Sequence, residues 1–365
     1  MSDRLSLPLL RPHDETLQKC VYCPKLSRAA CPVANVEANE TVTPWGKMSM
    51  AYFAARGDVP IDAEHAESAW ACSGCFACRE RCEHKNEVAD VLYDARAEYY
   101  QAGVAPAAAR RAALSFQAHQ HAVREAVDAI DTEARKAARV VVLLGCSYAK
   151  NHPEVARAIW RVASHAVDGE VRAARACCGL PLLHAGDRPG LVAAAGKLLA
   201  EVQDAELVVA ADPGCAQALM HALPSRTAVP KTVVPLVDLV YARLDRFPGA
   251  VFDEEPPRYH DPCQLGRGLG RYDEPRAILA RLYARAPAEF ARRRGDADCS
   301  GAGALLPLTR PETSAAMADA RIAEHQREGG GTLVTACAES LRRFRSRGED
   351  AQDLWQVVAR ALDAV

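Results

Sequence analysis

Two rhythms of apolar and polar positions divide the chain. Between about Val88 and Arg139 the sequence is rich in Ala, Glu, Arg and Gln, and its apolar positions recur at helical spacing. Gly103 and Pro106 are the breaks in that pattern, so it predicts a run of helices. Upstream, TPWGKMSMAYFAARGDVP is punctuated by Pro44, Gly46 and Gly57 and predicts one short helix. From Val140 the rhythm changes. VVVLLGCS is a short β-branched run that predicts a buried strand ending on Gly145 and Cys146, and a helical pattern follows from Pro153 to about Ala166.

The arrangement of a strand followed by a cysteine recurs in ELVVAADPGC (Cys215), RYHDPC (Cys263) and GTLVTAC (Cys337). This is an internal repeat, one copy over 140–247 and the other over 248–365, parted by the turn-rich FPGAVFDEEPP. Strands alternating with helices predict a parallel α/β core in each copy, with the cysteines on loops at strand ends. The expected fold class is therefore α/β behind a mostly helical, ferredoxin-like cluster domain. The expected divisions are 1–110 for that domain, 111–139 for a helical linker, and the two repeats.

At 365 residues, 49% of them hydrophobic, the chain can bury a sizeable core in two or three domains. A net charge of −2 supplies no electrostatic footprint for nucleic acid. No stretch stays apolar for the roughly 18 residues a membrane span needs, and the first residues hold no signal-peptide core, so a cytoplasmic protein is expected. In a reducing compartment fourteen cysteines argue for metal or cluster ligation rather than disulfides.

The strongest chemical signal is Cys72-Ser-Gly-Cys75-Phe-Ala-Cys78-Arg-Glu-Arg-Cys82. In this spacing three thiolates wrap one cubane cluster and the fourth reaches a second. Tetrahedral zinc prefers ligand pairs separated by a longer loop. The partner motif is Cys20-Val-Tyr-Cys23, then Ser27, then Cys31-Pro32. With the usual crossing, Cys31, Cys72, Cys75 and Cys78 complete one 4Fe–4S cluster, and Cys20, Cys23 and Cys82 supply three ligands of another. Ser27 stands where the fourth belongs. It could ligate as an alkoxide, leave a three-iron cluster or an open iron, or be an ordinary loop hydroxyl in a cluster domain that has lost its second site.

Together with Gly145-Cys146, Cys177-Cys178-Gly179, Asp212-Pro-Gly-Cys215, His260-Asp-Pro-Cys263, Cys299-Ser300-Gly301 and Thr335-Ala-Cys337, these motifs resemble the iron–sulfur subunits with paired cysteine-rich "CCG" domains. That family includes the D subunit of heterodisulfide reductase, the glycolate oxidase iron–sulfur subunit and lactate-utilisation proteins. The resemblance implies up to five cysteines per repeat. The first repeat matches at Cys146, Cys177, Cys178 and Cys215, with Ala218 in place of the fifth, which leaves enough thiolates for a third cluster. The second keeps Cys263, Cys299 and Cys337, with Ser300 and Ser340 replacing the others. Those three could hold a cluster or zinc, with His260 as a further donor, or could be small buried residues of a degenerate unit. His184 reads as a satisfied polar residue rather than a ligand.

No nicotinamide or flavin fingerprint is present, because the glycines of GRGLGRYDE and EGGGT lack the strand-to-helix setting. The resemblance therefore implies an electron-transfer subunit that takes electrons from a flavoprotein dehydrogenase partner and passes them to quinone or another carrier. Such a subunit could sit on the inner face of a membrane through its partner. Two alternatives stay open: a thiol- or heterodisulfide-reducing enzyme at Cys177 and Cys178, and a zinc-containing structural or assembly protein. The departures from five cysteines argue against heterodisulfide chemistry.

Overall fold

The computed structural model describes residues 5–23, 27–132 and 138–364. The chain forms two compact units: one comprises 1–116, 181–191 and 298–321, the other 117–180, 192–297 and 322–365.

The first unit is helical. Its expected short helix runs Pro44–Arg56: Thr43 caps it by accepting a hydrogen bond from the Gly46 amide at 3.0 Å, Pro44 opens it, and Gly57 (φ 80°) ends it. Helices Asp14–Val21, Ala63–Trp70 and Val88–Gln101 pack around it. Leu10, Leu17, Met48, Trp70, Val91 and Leu92 fill the core between them. The segments 181–191 and 298–321 close this unit although they come from the two repeats. Arg310 grips Glu37 through two bonds of 2.8 and 3.0 Å, and Thr313 adds a third at 2.7 Å. Those bonds fix the end of helix Pro32–Glu37, whose first residue follows Cys31.

Two parallel sheets make the second unit. Strands β1 (Val140–Leu143), β2 (Val171–Ala173), β3 (Leu207–Ala210) and β4 (Val233–Pro235) lie in the order β2-β1-β3-β4. Strands β5 (Arg258–His260), β6 (Leu333–Thr335) and β7 (Ala351–Asp353) lie in the order β5-β6-β7. The internal repeat is visible in this topology. β1 pairs with β3 and β3 with β4, as β5 pairs with β6 and β6 with β7. The place of β2 is kept in the second copy by a single parallel bridge between Arg258 and Ala288. Parallel strands covered on both faces read as continuous apolar runs, which is why β1, β3 and β6 are legible in the sequence. β7, Ala-Gln-Asp, carries no such run and lies at a sheet edge.

Helices Pro153–Ala166 and Leu354–Asp363 pack against each other, and both sheets contribute to one core that includes Val142, Ile159, Val209, Tyr259, Val334, Phe344 and Trp355. Among the described residues no helix is long and apolar enough to cross a membrane.

Candidate functional site

The loop from Ala71 to Glu80 places three cysteines within a few turns of backbone. Gly74 has φ +65°, and a Cβ there would collide with the Tyr93 hydroxyl, so the turn between Cys72 and Cys75 needs glycine. Its amide points at Cys72 Sγ from 3.4 Å. Arg96, fully buried on helix Val88–Gln101, holds the base of the loop by donating to the carbonyls of Cys72, Ala69, His184 and Ala304 at 2.8–3.2 Å. No carboxylate faces this guanidinium among the described residues; burial works against its charge, and Cys72 and then Tyr93 favour it.

The sulfurs sort into two sets. Burial pushes the Cys78 thiol well up, and the charges of Cys72, Cys75 and Cys31 push it further, so these four lie within electrostatic reach of one another. Lys47, 2% exposed, points its ammonium into this set, with Nζ 3.4 Å from Cys31 Sγ. Burial works against its charge, yet the neighbouring Cys31, Cys72 and Cys78 more than compensate and raise its pKa. Cys20 belongs to the other set. Burial raises its thiol to about 11, against a hydrogen bond from Asn86 Nδ2 at 3.1 Å, and the nearby sulfurs of Cys82 and Cys23 add to the rise. Cys20, Cys23, Ser27 and Cys82 line one cavity with Asn86, Trp45 and His84, and Cys78 of the first set reaches the same cavity. Trp45 is pinned there by its indole N–H, which donates to the Val21 carbonyl at 2.9 Å.

These surroundings fit anionic iron–sulfur clusters. Among the described residues, the charge partners of the buried Lys47 ammonium are thiol sulfurs and those of the buried Arg96 guanidinium are Cys72 and Tyr93, with no carboxylate among them, and a bare buried cation would be costly. Amide donors to sulfur, from Gly74 and Asn86, are of the kind that stabilise cluster charge.

In the second unit the cysteines lie just beyond the C-terminal ends of parallel strands, where open α/β sheets present ligand sites. Cys146 opens helix Cys146–Asn151 shortly after β1. Gly145 before it has φ +95°, and a Cβ there would approach Asp212 Cβ to 2.7 Å. The loop after β2 is held by side chains: Glu201 accepts from the Arg175 and Ala176 amides at 2.7 and 2.9 Å, and Gln120 accepts from the Cys177 amide at 2.9 Å. Cys178 and Cys215 sulfurs stand 3.6 Å apart. Cys146 and Cys177 lie close together with His119, their ligand atoms all within 4.8 Å of one another. A hydrogen bond from Cys177, and then one from His119, lowers the Cys146 thiol to about 6 despite burial. Cys177 and Cys215 are pushed up, because each donates to a neighbouring thiolate. Asp212 caps the short helix of Cys215, accepting from the Gly214 amide at 2.9 Å, and its other oxygen lies 3.4 Å from the Ala338 amide. Burial raises its carboxyl to about 7.

The second repeat is arranged differently. Cys263 and Cys337 belong to the second unit, whereas Cys299 belongs to the first. There the Gly301 amide donates to Cys299 Sγ at 3.4 Å, and Gly303 packs on the Ser73 carbonyl. Ser300 is buried, and Ser340 bonds to Cys337, whose thiol burial pushes far up. His260 is buried edge-on against Phe344, ring centroids 4.9 Å apart. His184 is buried against Tyr93, and burial followed by the Arg96 charge lowers it to about 3, so its ring is neutral.

Lys47, Asn86, Arg96 and His119 lie beside the cysteines although the cysteine pattern does not announce them. Arg96 has one signal: it stands four residues after Leu92 on the apolar stripe of its helix, where a charge needs a reason.

Comparison with known proteins accounts for this architecture. Residues 16–86 match the 4Fe-4S dicluster domain, and 140–220 and 258–340 each match the cysteine-rich domain. The chain is thus an iron–sulfur protein that joins a dicluster domain to two cysteine-rich domains. In this combination it resembles the CCG-domain iron–sulfur oxidoreductase subunits. It is 23% identical over 352 residues to the B subunit of fumarate reductase (CoM/CoB) of Methanothermobacter marburgensis, covering 92% of this chain and 70% of that one. It is 25% identical over 329 residues to the D subunit of dihydromethanophenazine:CoB–CoM heterodisulfide reductase of Methanosarcina barkeri, covering 82% and 79%. The corresponding protein of Methanosarcina mazei is 24% identical over the same shares. These relatives are each named as one subunit of a reductase.

Proposed function

We propose that this chain is the electron-relay subunit of an oxidoreductase complex, with Cys31, Cys72, Cys75 and Cys78 ligating one 4Fe–4S cluster and Cys20, Cys23 and Cys82 a second whose fourth position faces Ser27. The observation that carries the reading is the pair of sulfur sets in one unit, with Lys47 buried in one and Cys78 reaching the cavity of the other. When bound, such clusters take up and release single electrons with little change in geometry. The protein's part is to hold the ligands, exclude water and set the potential. Lys47 and Arg96 oppose the negative charge of the first set, while Asn86 donates to Cys20 of the second. Different charges around the two sets imply different potentials.

Cys146, Cys177, Cys178 and Cys215 are the ligands of a third iron centre in this reading, and the cysteines kept in the second repeat are a remnant with zinc as the metal to look for. The domains are those of the sequence reading: 1–110, a linker over 111–139, and repeats over 140–247 and 248–365. A flavoprotein dehydrogenase is the donor and a quinone or similar carrier the acceptor. Attachment to the inner face of a membrane would come through that partner.

The test is a stopped-flow experiment on anaerobically purified full-length protein. Reduced flavin should bleach its blue absorbance in single-electron steps, and a soluble quinone should restore it. Protein that takes up no electrons from reduced flavin or dithionite refutes the relay.

One observation favours a second reading, thiol–disulfide chemistry at Cys177 and Cys178. Gln120, which fixes Cys177, also lines a cavity of about 930 Å³ together with Arg124, Arg175, Ala176 and Lys197. If the isolated chain reduces a disulfide with an artificial donor and Cys178→Ala abolishes this, that reading overtakes the first.

A further inference from the structure

Cys146 and Cys177 have a close companion outside the cysteine pattern. His119 lies on helix Phe116–Asp128, upstream of the first repeat, and its ring nitrogen and the two sulfurs lie within 4.8 Å of one another. Metal–ligand arms of about 2.0–2.3 Å in a tetrahedron give donor–donor edges of roughly 3.3–3.8 Å, a small contraction from this spacing.

The position is built rather than incidental. Gln120, the next residue, clamps the helix to the cysteine loop: its oxygen accepts from the Cys177 amide at 2.9 Å and its amide donates to the Arg175 carbonyl at 2.8 Å. One end of the same helix is tied by the ion pair of Asp128 with Arg175, and just beyond it Asp131 accepts from the Ala173 amide at 2.8 Å. Val123 and Val127 bury its inner face in the core. His119 is therefore carried on an element fixed at several points to the strand and loop that present Cys177. Its Nε2 is buried, and Nδ1 lies 3.1 Å from Nζ of Lys150, an exposed side chain able to withdraw when Nδ1 carries the proton.

From this geometry we propose that His119 is a metal ligand of the first cysteine-rich site, its imidazole nitrogen taking the place of one of the four thiolates of Cys146, Cys177, Cys178 and Cys215. The centre is then a mixed nitrogen–sulfur one, and histidine in place of thiolate raises the potential of an iron–sulfur centre. Iron as the metal rests on the function proposed above. The ligand itself does not.

The test uses full-length protein isolated anaerobically with ¹⁵N-labelled histidine, and reads pulsed EPR of the signal that Cys178→Ala removes. A histidine nitrogen coupling on that signal, lost in His119→Ala and restored by added imidazole, is the expected result. His119→Cys should lose the coupling, keep the iron and shift the potential negative. Unchanged signals from the other clusters in each variant show that the protein has folded. A Cys178-dependent iron signal without histidine coupling overturns the proposal. If the site holds zinc, the iron reading of this centre fails, and zinc X-ray absorption decides the ligand: one nitrogen with three sulfurs supports it, four sulfurs overturn it. A site with neither metal overturns both.

Discussion

Replacing Lys47 by methionine removes one buried positive charge and keeps a long, unbranched side chain within helix Pro44–Arg56. The ammonium lies 3.4 Å from Cys31 Sγ and is influenced by Cys72 and Cys78, so it stabilises added negative charge on whatever these sulfurs ligate. At an effective dielectric of about 20, a unit charge about 4–6 Å from the charge it opposes contributes roughly 3–4 kcal/mol. For a one-electron couple, about 59 mV corresponds to each tenfold change in equilibrium, or about 1.4 kcal/mol, which sets a ceiling of about 120–170 mV. Spreading of the electron over the cluster, and water entering where the ammonium was, reduce that figure. Lys47→Met should therefore make one cluster about 50–150 mV harder to reduce, while the cluster of the Cys20 set moves much less. The assay is an EPR-monitored redox titration of both proteins, with iron and sulfide counted in each. A shift below about 20 mV, or a positive one, with iron retained would refute the electrostatic role given to Lys47.

Ser27→Cys restores a fourth thiol to the Cys20 set and should add iron and sharpen one 4Fe–4S EPR signal, whereas an unchanged spectrum would remove Ser27 from the site. Arg96→Leu strips a donor from four carbonyls, those of Ala69 and Ala304 in buried bonds; at about 1–3 kcal/mol for each buried group left unsatisfied, it should cost at least about 2 kcal/mol, read as a fall in thermal midpoint. Burial raises the Asp212 and Asp353 carboxyls to about 7. Their folded values lie above the unfolded one near 4, so the stability they contribute is complete below about pH 4 and is lost as pH rises toward 7. Asp353→Asn should flatten that decline in urea unfolding by up to about 1.4 kcal/mol per pH unit, and an unaltered slope would show that Asp353 ionises freely.

How far the sequence alone reaches depends on how each feature is encoded. The thiols of the dicluster loop are close in sequence because they must be close in space, so Cys72, Cys75 and Cys78 announce themselves. Strands β1, β3 and β6 are buried on both faces and are written as apolar runs, whereas β7 is held by its neighbour and by the Asp353 cap of the following helix, and carries no pattern. Assembly over long range leaves the faintest trace. Nothing local says that 181–191 and 298–321 join the first unit, or that Cys299 goes with them. Arg310 meets Glu37 across 273 positions of chain. The linker expected over 111–139 does contain helices, at Ala107–Leu114 and Phe116–Asp128; residues 133–137 of it lie outside the described ones. Its second helix also carries His119, four residues before Val123 on the face that packs inward and with no motif around it, which only the fold brings beside Cys146.

The electron relay depends above all on the first sulfur set. Iron and acid-labile sulfide analysis with EPR, on anaerobically isolated wild type and Cys31→Ala, tests it. A brown wild type with a reduced 4Fe–4S signal is expected, and a variant that loses this signal and about one cluster's iron while keeping the rest. A colourless protein containing only zinc, or a Cys31→Ala variant with its iron and signals intact, would contradict it.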